Sequence, residues 1–187
     1  AGMKPYDITR MRIARTFQNI RLMKNLSVLD NVKISFVSQT DYGLATSILR
    51  LPAYFHQEKD IEEKSMALLK VFNLDGKKDE KAANLPYGEQ RRLEIARALA
   101  TNPKLLLLDE PAAGMNPQET QELTELIRWI REKFHIAILL IEHDMRLVMG
   151  VCEKIIVLDY GKIIAEGTPK EIQSNPKVIE AYLGEEA

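Results

Sequence analysis

The sequence holds a single cysteine, Cys152, so no internal disulfide can staple it, and a reducing compartment is the expectation. Uninterrupted apolar runs such as Ile136–Ile141 fall far short of the ~20 residues that a membrane-spanning helix needs. Ala1–Arg15 is polar and basic, with no apolar stretch of signal-peptide type. Neither sign of charge dominates: 26 Lys and Arg stand against 27 Asp and Glu, a net charge of -1. That balance argues against a nucleic-acid binder, whose affinity draws on a clear cationic surplus. Nine glycines and eight prolines are too few for collagen-like or low-complexity chains, and no internal repeat is visible. What remains is ordinary globular composition, 45% hydrophobic and 28% charged, over 187 residues. That is enough chain for one soluble, cytosolic domain with a real core.

Apolar strand-like runs alternate with helical patterns. Ser27, three residues before Asp30, reads as a capping box. Asp60 is placed to cap a helix that turns Ile61, Leu68, Leu69 and Phe72 to one side. Phe36–Gln57 is mixed and aromatic, broken by Gly43 and Pro52, and supports only pieces of helix. Gly88–Thr101 is strongly helical and stops at Asn102-Pro103. Lys104–Asp109 is too short for a typical helix and reads as a buried strand. Asn116-Pro117 with Glu119 starts a long helix carrying Leu123, Leu126, Ile127 and Ile130 inward. A second buried strand is expected at Ile136–Glu142, a short helix at Met145–Val151 and a third strand at Lys154–Leu158. Tyr160-Gly161 then turns into a hairpin return over Lys162–Glu166. Thr168-Pro169 and Asn175-Pro176 each open a helix, and Gly184 follows the last. Alternation of this kind implies an α/β fold with a parallel sheet covered by helices, whose ligands sit beyond the carboxyl ends of the strands.

Chemistry gathers at those ends. Four leucines of 105–108 lead into Asp109-Glu110-Pro111, so two carboxylates emerge together where a buried strand stops. Packing explains them poorly, although both also suit capping of the next turn. A hydrated Mg²⁺ and a proton acceptor for water suit them better, as nucleoside triphosphate hydrolysis requires. Ile138–Ile141 likewise ends in Glu142-His143-Asp144. His143 there suits a phosphate oxygen or an attacking water, and Asp144 suits an N-cap. His56 and His135 have no such setting and read as surface or boundary residues. Gly88 opens a helix whose free N–H groups form a positive dipole end, where an anion can dock. Alone, that segment reads better as an ordinary glycine-started helix with a solvated Arg/Glu face.

Together these segments resemble the ABC-transporter ATPase family, in the family's own order and over essentially the whole chain. Leu105–Pro111 resembles its Walker B motif with the catalytic glutamate, Leu85–Gln90 its signature motif and Ala112–Pro117 its D-loop. His143 resembles the switch histidine, and Thr16-Phe17-Gln18 the Q-loop at the end of a strand. Tyr87-Gly88, the run Arg91–Ala96, Ala112–Pro117, Ile141–Met145 and the tail from Gly167 to Gly184 resemble the branched-chain amino acid importers. The resemblance implies a P-loop NTPase-like α/β fold, a parallel sheet with helices on both faces plus a helical subdomain. The subdomain is expected at about 25–101, the core sheet portion at 1–24 and 102–166, and a C-terminal helical tail at 167–187.

It further implies ATP and Mg²⁺ as cofactors. Glu110 is then the general base, Asp109 holds Mg²⁺ through water, His143 contacts the γ-phosphate, and Gln18 senses metal and water. Gly88, Glu89 and Asn116 are expected to bind nucleotide, the first two facing the ATP of an opposite subunit. Expected partners are a second ABC ATPase subunit, paralogous or identical, transmembrane permease subunits and, indirectly, an external substrate-binding protein. Gln18's neighbourhood and the aromatics Tyr42, Tyr54 and Phe55 are candidates for the docking surface, with a local helical core as the alternative for the aromatics. The implied location is the cytoplasmic face of the inner membrane. A soluble ABC ATPase of translation or DNA repair, or a non-catalytic binding fragment, stands as the alternative.

Two departures matter. Pro86 replaces the family's signature serine and offers neither hydroxyl nor N–H. No glycine-rich loop ending in Gly-Lys-Ser/Thr occurs: Gly76-Lys77 and Gly161-Lys162 lack both the upstream glycine and the following hydroxyl. We therefore expect the N-terminal strands and the phosphate loop to be missing, and the chain by itself to lack ATP binding. The missing strand would lie beside 136–142, leaving an apolar slot, so strands 136–142 and 154–158 should not pair directly.

Overall fold

The computed structural model describes residues 2–36 and 52–183. After a short helix α1 (Pro5–Arg10), strand β1 (Ile13–Arg15) lies parallel to β2 (Leu105–Asp109), and β2 lies parallel to β3 (Ala137–Ile141). Parallel neighbours require a crossover, and β2 reaches β3 through a long helix, Pro117–Phe134. The register sets Leu106 between Ala14 and Ile138, and Leu107 between Arg15 and Leu139. Side chains alternate along a strand, so these two rows lie on opposite faces. Leu106 and Leu108 are buried, whereas Leu139 and Ile141 are 55% and 56% exposed. The strand expected to be buried at 136–142 is therefore an edge strand with one open face. Its apolar run resembles that of β2, but no strand among the described residues pairs with its far side.

Between β1 and β2 the chain forms α2 (Val28–Phe36), α3 (Pro52–Val71) and α4 (Tyr87–Ala100), with single 3₁₀ turns at Asp75–Lys77 and Ala82–Asn84. Ser27 starts α2: its hydroxyl accepts from the Asp30 N–H at 3.0 Å and donates to the Asp30 carboxylate at 2.7 Å. Asp60 is not a cap. It lies inside α3, which is already helical at Pro52, and pairs with Lys64 one turn on at 2.6 Å. The apolar stripe expected there is present, with Ile61, Leu68, Leu69 and Phe72 all buried. Leu68, Leu69 and Phe72 join Val28, Val32, Leu93, Ile95, Leu99, Leu106 and Leu108 in one continuous core. Of the aromatics singled out in 42–55, Tyr42 lies outside the described residues. Tyr54 and Phe55 meet edge to face on α3, and Phe55 is exposed.

The crossover helix α5 (Pro117–Phe134) begins with the expected Asn116–Glu119 capping box and adds Leu123, Ile127 and Ile130 to the same core. After β3 comes α6 (Met145–Val151), capped by Asp144, whose carboxylate accepts from the N–H groups of Arg146 and Leu147. Strands β4 (Ile155–Asp159) and β5 (Lys162–Gly167) then form an antiparallel hairpin. Tyr160 and Gly161 both have positive φ, 44° and 76°, the type I′ geometry that folds a chain straight back on itself. This return gives β4 its partner, so β4 lies outside the parallel sheet, and β3 and β4 are not paired. Helices α7 (Pro169–Gln173) and α8 (Pro176–Val178) start at Thr168 and Asn175 as expected. A π-type turn over Ile179–Leu183 follows, and Gly184 lies outside the described residues. Ile172 and Val178 join Val148, Ile155, Val157 and Ala165 in a second, smaller core. No helix among the described residues is long and apolar enough to cross a membrane.

Candidate active site

All three parallel strands end at the same edge of the sheet, and each delivers one expected group there. β1 runs into Thr16-Phe17-Gln18. The Thr16 N–H continues the ladder onto the Leu107 carbonyl at 2.9 Å, which holds this segment beside β2. β2 ends at Asp109-Glu110, and β3 ends immediately before Glu142 and His143. The Gln18 side-chain N–H donates to the Glu110 carboxylate at 2.7 Å. Sequence-distant Gln18 and Glu110 are thus in direct contact. Asp109 is held differently, by an ion pair with Arg15 at 2.7 Å. Arg15 is half-exposed, so solvent screens that pair and it contributes at most about 1 kcal/mol.

Glu110 adopts φ of 44°, a left-handed conformation uncommon for a residue with a side chain. Its N–H donates to the Ile141 carbonyl at 2.9 Å, so the strained turn is anchored to the end of β3. Strain of this kind costs of order 1–3 kcal/mol and persists where the surroundings over-determine it. His143 presents its side chain largely to solvent, at the mouth of the same edge.

Gly88 and Asn116 stand where the N-termini of α4 and α5 meet, both beside Glu119, whereas the Glu89 side chain turns to Lys77. Asn116 is engaged as the N-cap of α5, in the box with Glu119. A Cβ placed on Gly88 would stand 2.9 Å from the Glu119 carboxylate oxygen, the end of a flexible side chain that would have to move aside. Both Glu89 oxygens accept from the Lys77 ammonium at 2.7 Å. No side chain caps the start of α4, where Pro86 is the N-cap.

Two features went unread in the sequence. The Arg/Glu face of α4 is not solvated: Arg91 is fully buried and Glu94 nearly so. Arg91 donates to Glu94 at 2.8 Å, to the Phe17 carbonyl at 2.6 Å and to the Gln18 carbonyl at 2.8 Å. A further contact at 3.3 Å reaches the Tyr87 hydroxyl. One guanidinium thereby ties the segment carrying Gln18 to the start of α4. A signal existed, because the helical period that turns Ile95 and Leu99 inward puts Arg91 on the same stripe. The second feature is Glu142, whose side chain is 1% exposed. Its strand parity with Ile138 and Leu140 was the available clue.

The donor set fits a sparsely held Mg²⁺. That ion takes one or two carboxylates and leaves its other positions to water and substrate phosphates. Asp109 offers one such carboxylate at the sheet edge.

The family model described as ABC transporter matches residues 2–113, and the model described as branched-chain amino acid ATP-binding cassette transporter matches residues 162–187. The chain is 45% identical to the high-affinity branched-chain amino acid transport ATP-binding protein LivG of Salmonella typhimurium, over 98% of this chain and 72% of the relative. Identity to BraF of Pseudomonas aeruginosa, named for the same transport role, is 41%, again over 98% and 72%. Among solved structures, it resembles the ADP conformation of MJ1267, an ATP-binding cassette of an ABC transporter. The TM-score is 0.78 at 31% identity, over 98% of this chain and 73% of that one.

Proposed function

This chain belongs to the ABC transporter family, in its branched-chain amino acid branch, and from that premise we propose that it serves as the ATP-hydrolysing subunit of an importer for branched-chain amino acids. The observation that carries the reading is the contact of Gln18 with Glu110 at the ends of neighbouring strands, beside Asp109 and with His143 one strand further on. Ligands of open α/β sheets sit at such an edge. Bound Mg²⁺–ATP supplies the phosphoryl group to be transferred and neutralises its charge.

The chain's own residues then do the following. The Glu110 carboxylate accepts a proton from water as general base, with one oxygen already oriented by the Gln18 amide. Asp109, paired with Arg15 here, and Gln18 are the residues that would hold Mg²⁺, which would supply charge neutralisation for the phosphates. His143 donates to a phosphate oxygen from the end of β3. Asn116 binds nucleotide, and Gly88 and Glu89 face the nucleotide of a second cassette subunit, whose closure onto this one drives the permease subunits. The working location is the cytoplasmic face of the membrane.

Glu110→Gln tests the central assignment. In the assembled transporter it should lower ATP hydrolysis by about 10²–10⁴-fold while ATP binding persists. Hydrolysis near the wild-type rate would remove Glu110 from the role of base.

A second reading concerns these 187 residues alone. They contain no glycine-rich loop ending in Gly-Lys-Ser/Thr, the element whose backbone N–H groups cradle phosphates. The isolated chain therefore does not bind ATP in cis. Titration calorimetry that found micromolar ATP binding by this chain would overturn that statement.

A further inference from the structure

The loops leaving β2 and β3 are joined through one buried carboxylate. Glu142 Oε1 accepts from the Ala112 N–H at 2.8 Å, two residues beyond Glu110. Oε2 accepts from the His143 N–H at 3.0 Å and from the Asp144 N–H at 3.4 Å. The side chain is 1% exposed, so water cannot replace these donors, and an ionised carboxylate removed from water needs such partners. The Glu110 N–H reaches the Ile141 carbonyl immediately upstream. The turn that carries Glu110 is thus pinned at both ends, at residue 110 by the main chain of β3 and at residue 112 by the side chain of Glu142. Those two anchors bracket the left-handed φ of Glu110. The same carboxylate sets the main chain of His143.

We propose that Glu142 is a positioning residue for ATP hydrolysis, locking the loops of Glu110 and His143 in one relative register. The proposal rests on the reading of Glu110 as base. Glu142 does not touch the reacting atoms, and it acts through the placement of the two residues that do. A displacement near 1 Å at such a site can cost about 10²-fold in rate. The loss should appear in kcat and leave KM for ATP nearly unchanged, because substrate binding does not use this carboxylate.

Two variants of the subunit, measured in the assembled transporter, test this. Glu142→Gln turns one acceptor oxygen into an N–H donor, which must face either the Ala112 N–H or the His143 N–H. Glu142→Asp keeps the charge but is one methylene too short to serve both loops. Both should lower kcat by about 10²-fold, with KM within about twofold and faster amide hydrogen exchange at Ala112 and His143. If Glu142→Gln fails to fold, Glu142→Asp alone decides. Wild-type kcat in the folded variant overturns the proposal. So does a lowered melting temperature with kcat per folded molecule unchanged, which marks a purely structural role. Absence of hydrolysis in the wild-type transporter refutes the ATPase reading instead, so the two failures are distinguishable.

Discussion

Each of the two sheets has one covered and one bare face, and aliphatic side chains stand on both, beside Arg15 and Asp109 on the bare side of the first and Glu166 on that of the second. In β1–β3 the covered row is Ala14, Leu106 and Leu108, and the bare row includes Leu139 and Ile141. In the β4–β5 hairpin the covered row is Ile155, Val157 and Ala165, and the bare row is Ile156, Leu158 and Ile163. Similar aliphatic side chains one residue apart therefore contribute very differently. A fully buried Leu or Ile gains about 1.5–3 kcal/mol over an exposed one, so the covered rows hold the sheets in place and the bare rows add little. Hydrophobicity along a strand marks a strand. It does not say which of its faces is packed.

The largest effect that sharpens this contrast is expected at Leu106, which has no exposure at all. Leu106→Ala should lower unfolding free energy by about 3 kcal/mol, through lost burial and the cavity left behind. Urea denaturation measures it, and a loss below about 1 kcal/mol would break the assignment of the covered face.

A smaller effect concerns the helix that covers the hairpin. Glu171 accepts from the Thr168 backbone N–H and hydroxyl, and these bonds hold its carboxyl below the usual carboxylate range. A depressed folded-state pKa stabilises above the unfolded value of about 4.3 and is lost as pH falls through the folded value. Acid should thus loosen α7 and the packing of Ile172 before the main core responds. Glu171→Gln should remove that pH dependence, as read by hydrogen exchange in residues 169–173. The smallest effect is expected at Leu139, where Leu139→Ser should change stability by no more than about 0.5 kcal/mol. A larger loss would show that the bare face is packed after all.

Much of the site was legible because its signals are local. Asn116 with Glu119, Thr168 ahead of α7 and Asp144 ahead of α6 all act within three residues, and all three caps form. The carboxylates after the leucine run and the histidine after Ile141 stand at strand ends as their spacing required. Asp60 misled because its local pattern suited a cap equally well, while the chain was already helical at Pro52. The burial of Arg91 was hidden for a different reason. Its acceptors on Phe17 and Gln18 lie more than seventy positions away, and an Arg with a Glu three residues on is usually solvated.

Sequence alone determined where the strands and all the capped helices but α3 begin, which chemistry stands at their ends and which family's order the motifs follow, since each depends on neighbours a few residues apart. Tertiary structure alone decided the rest. It put Gln18 against Glu110, closed Glu142 around two loops thirty residues apart in the chain, buried Arg91 and left one face of each sheet bare. The physical reason is range. A cap is satisfied by its own backbone, but a buried charge or an apolar face depends on what the rest of the chain brings to it.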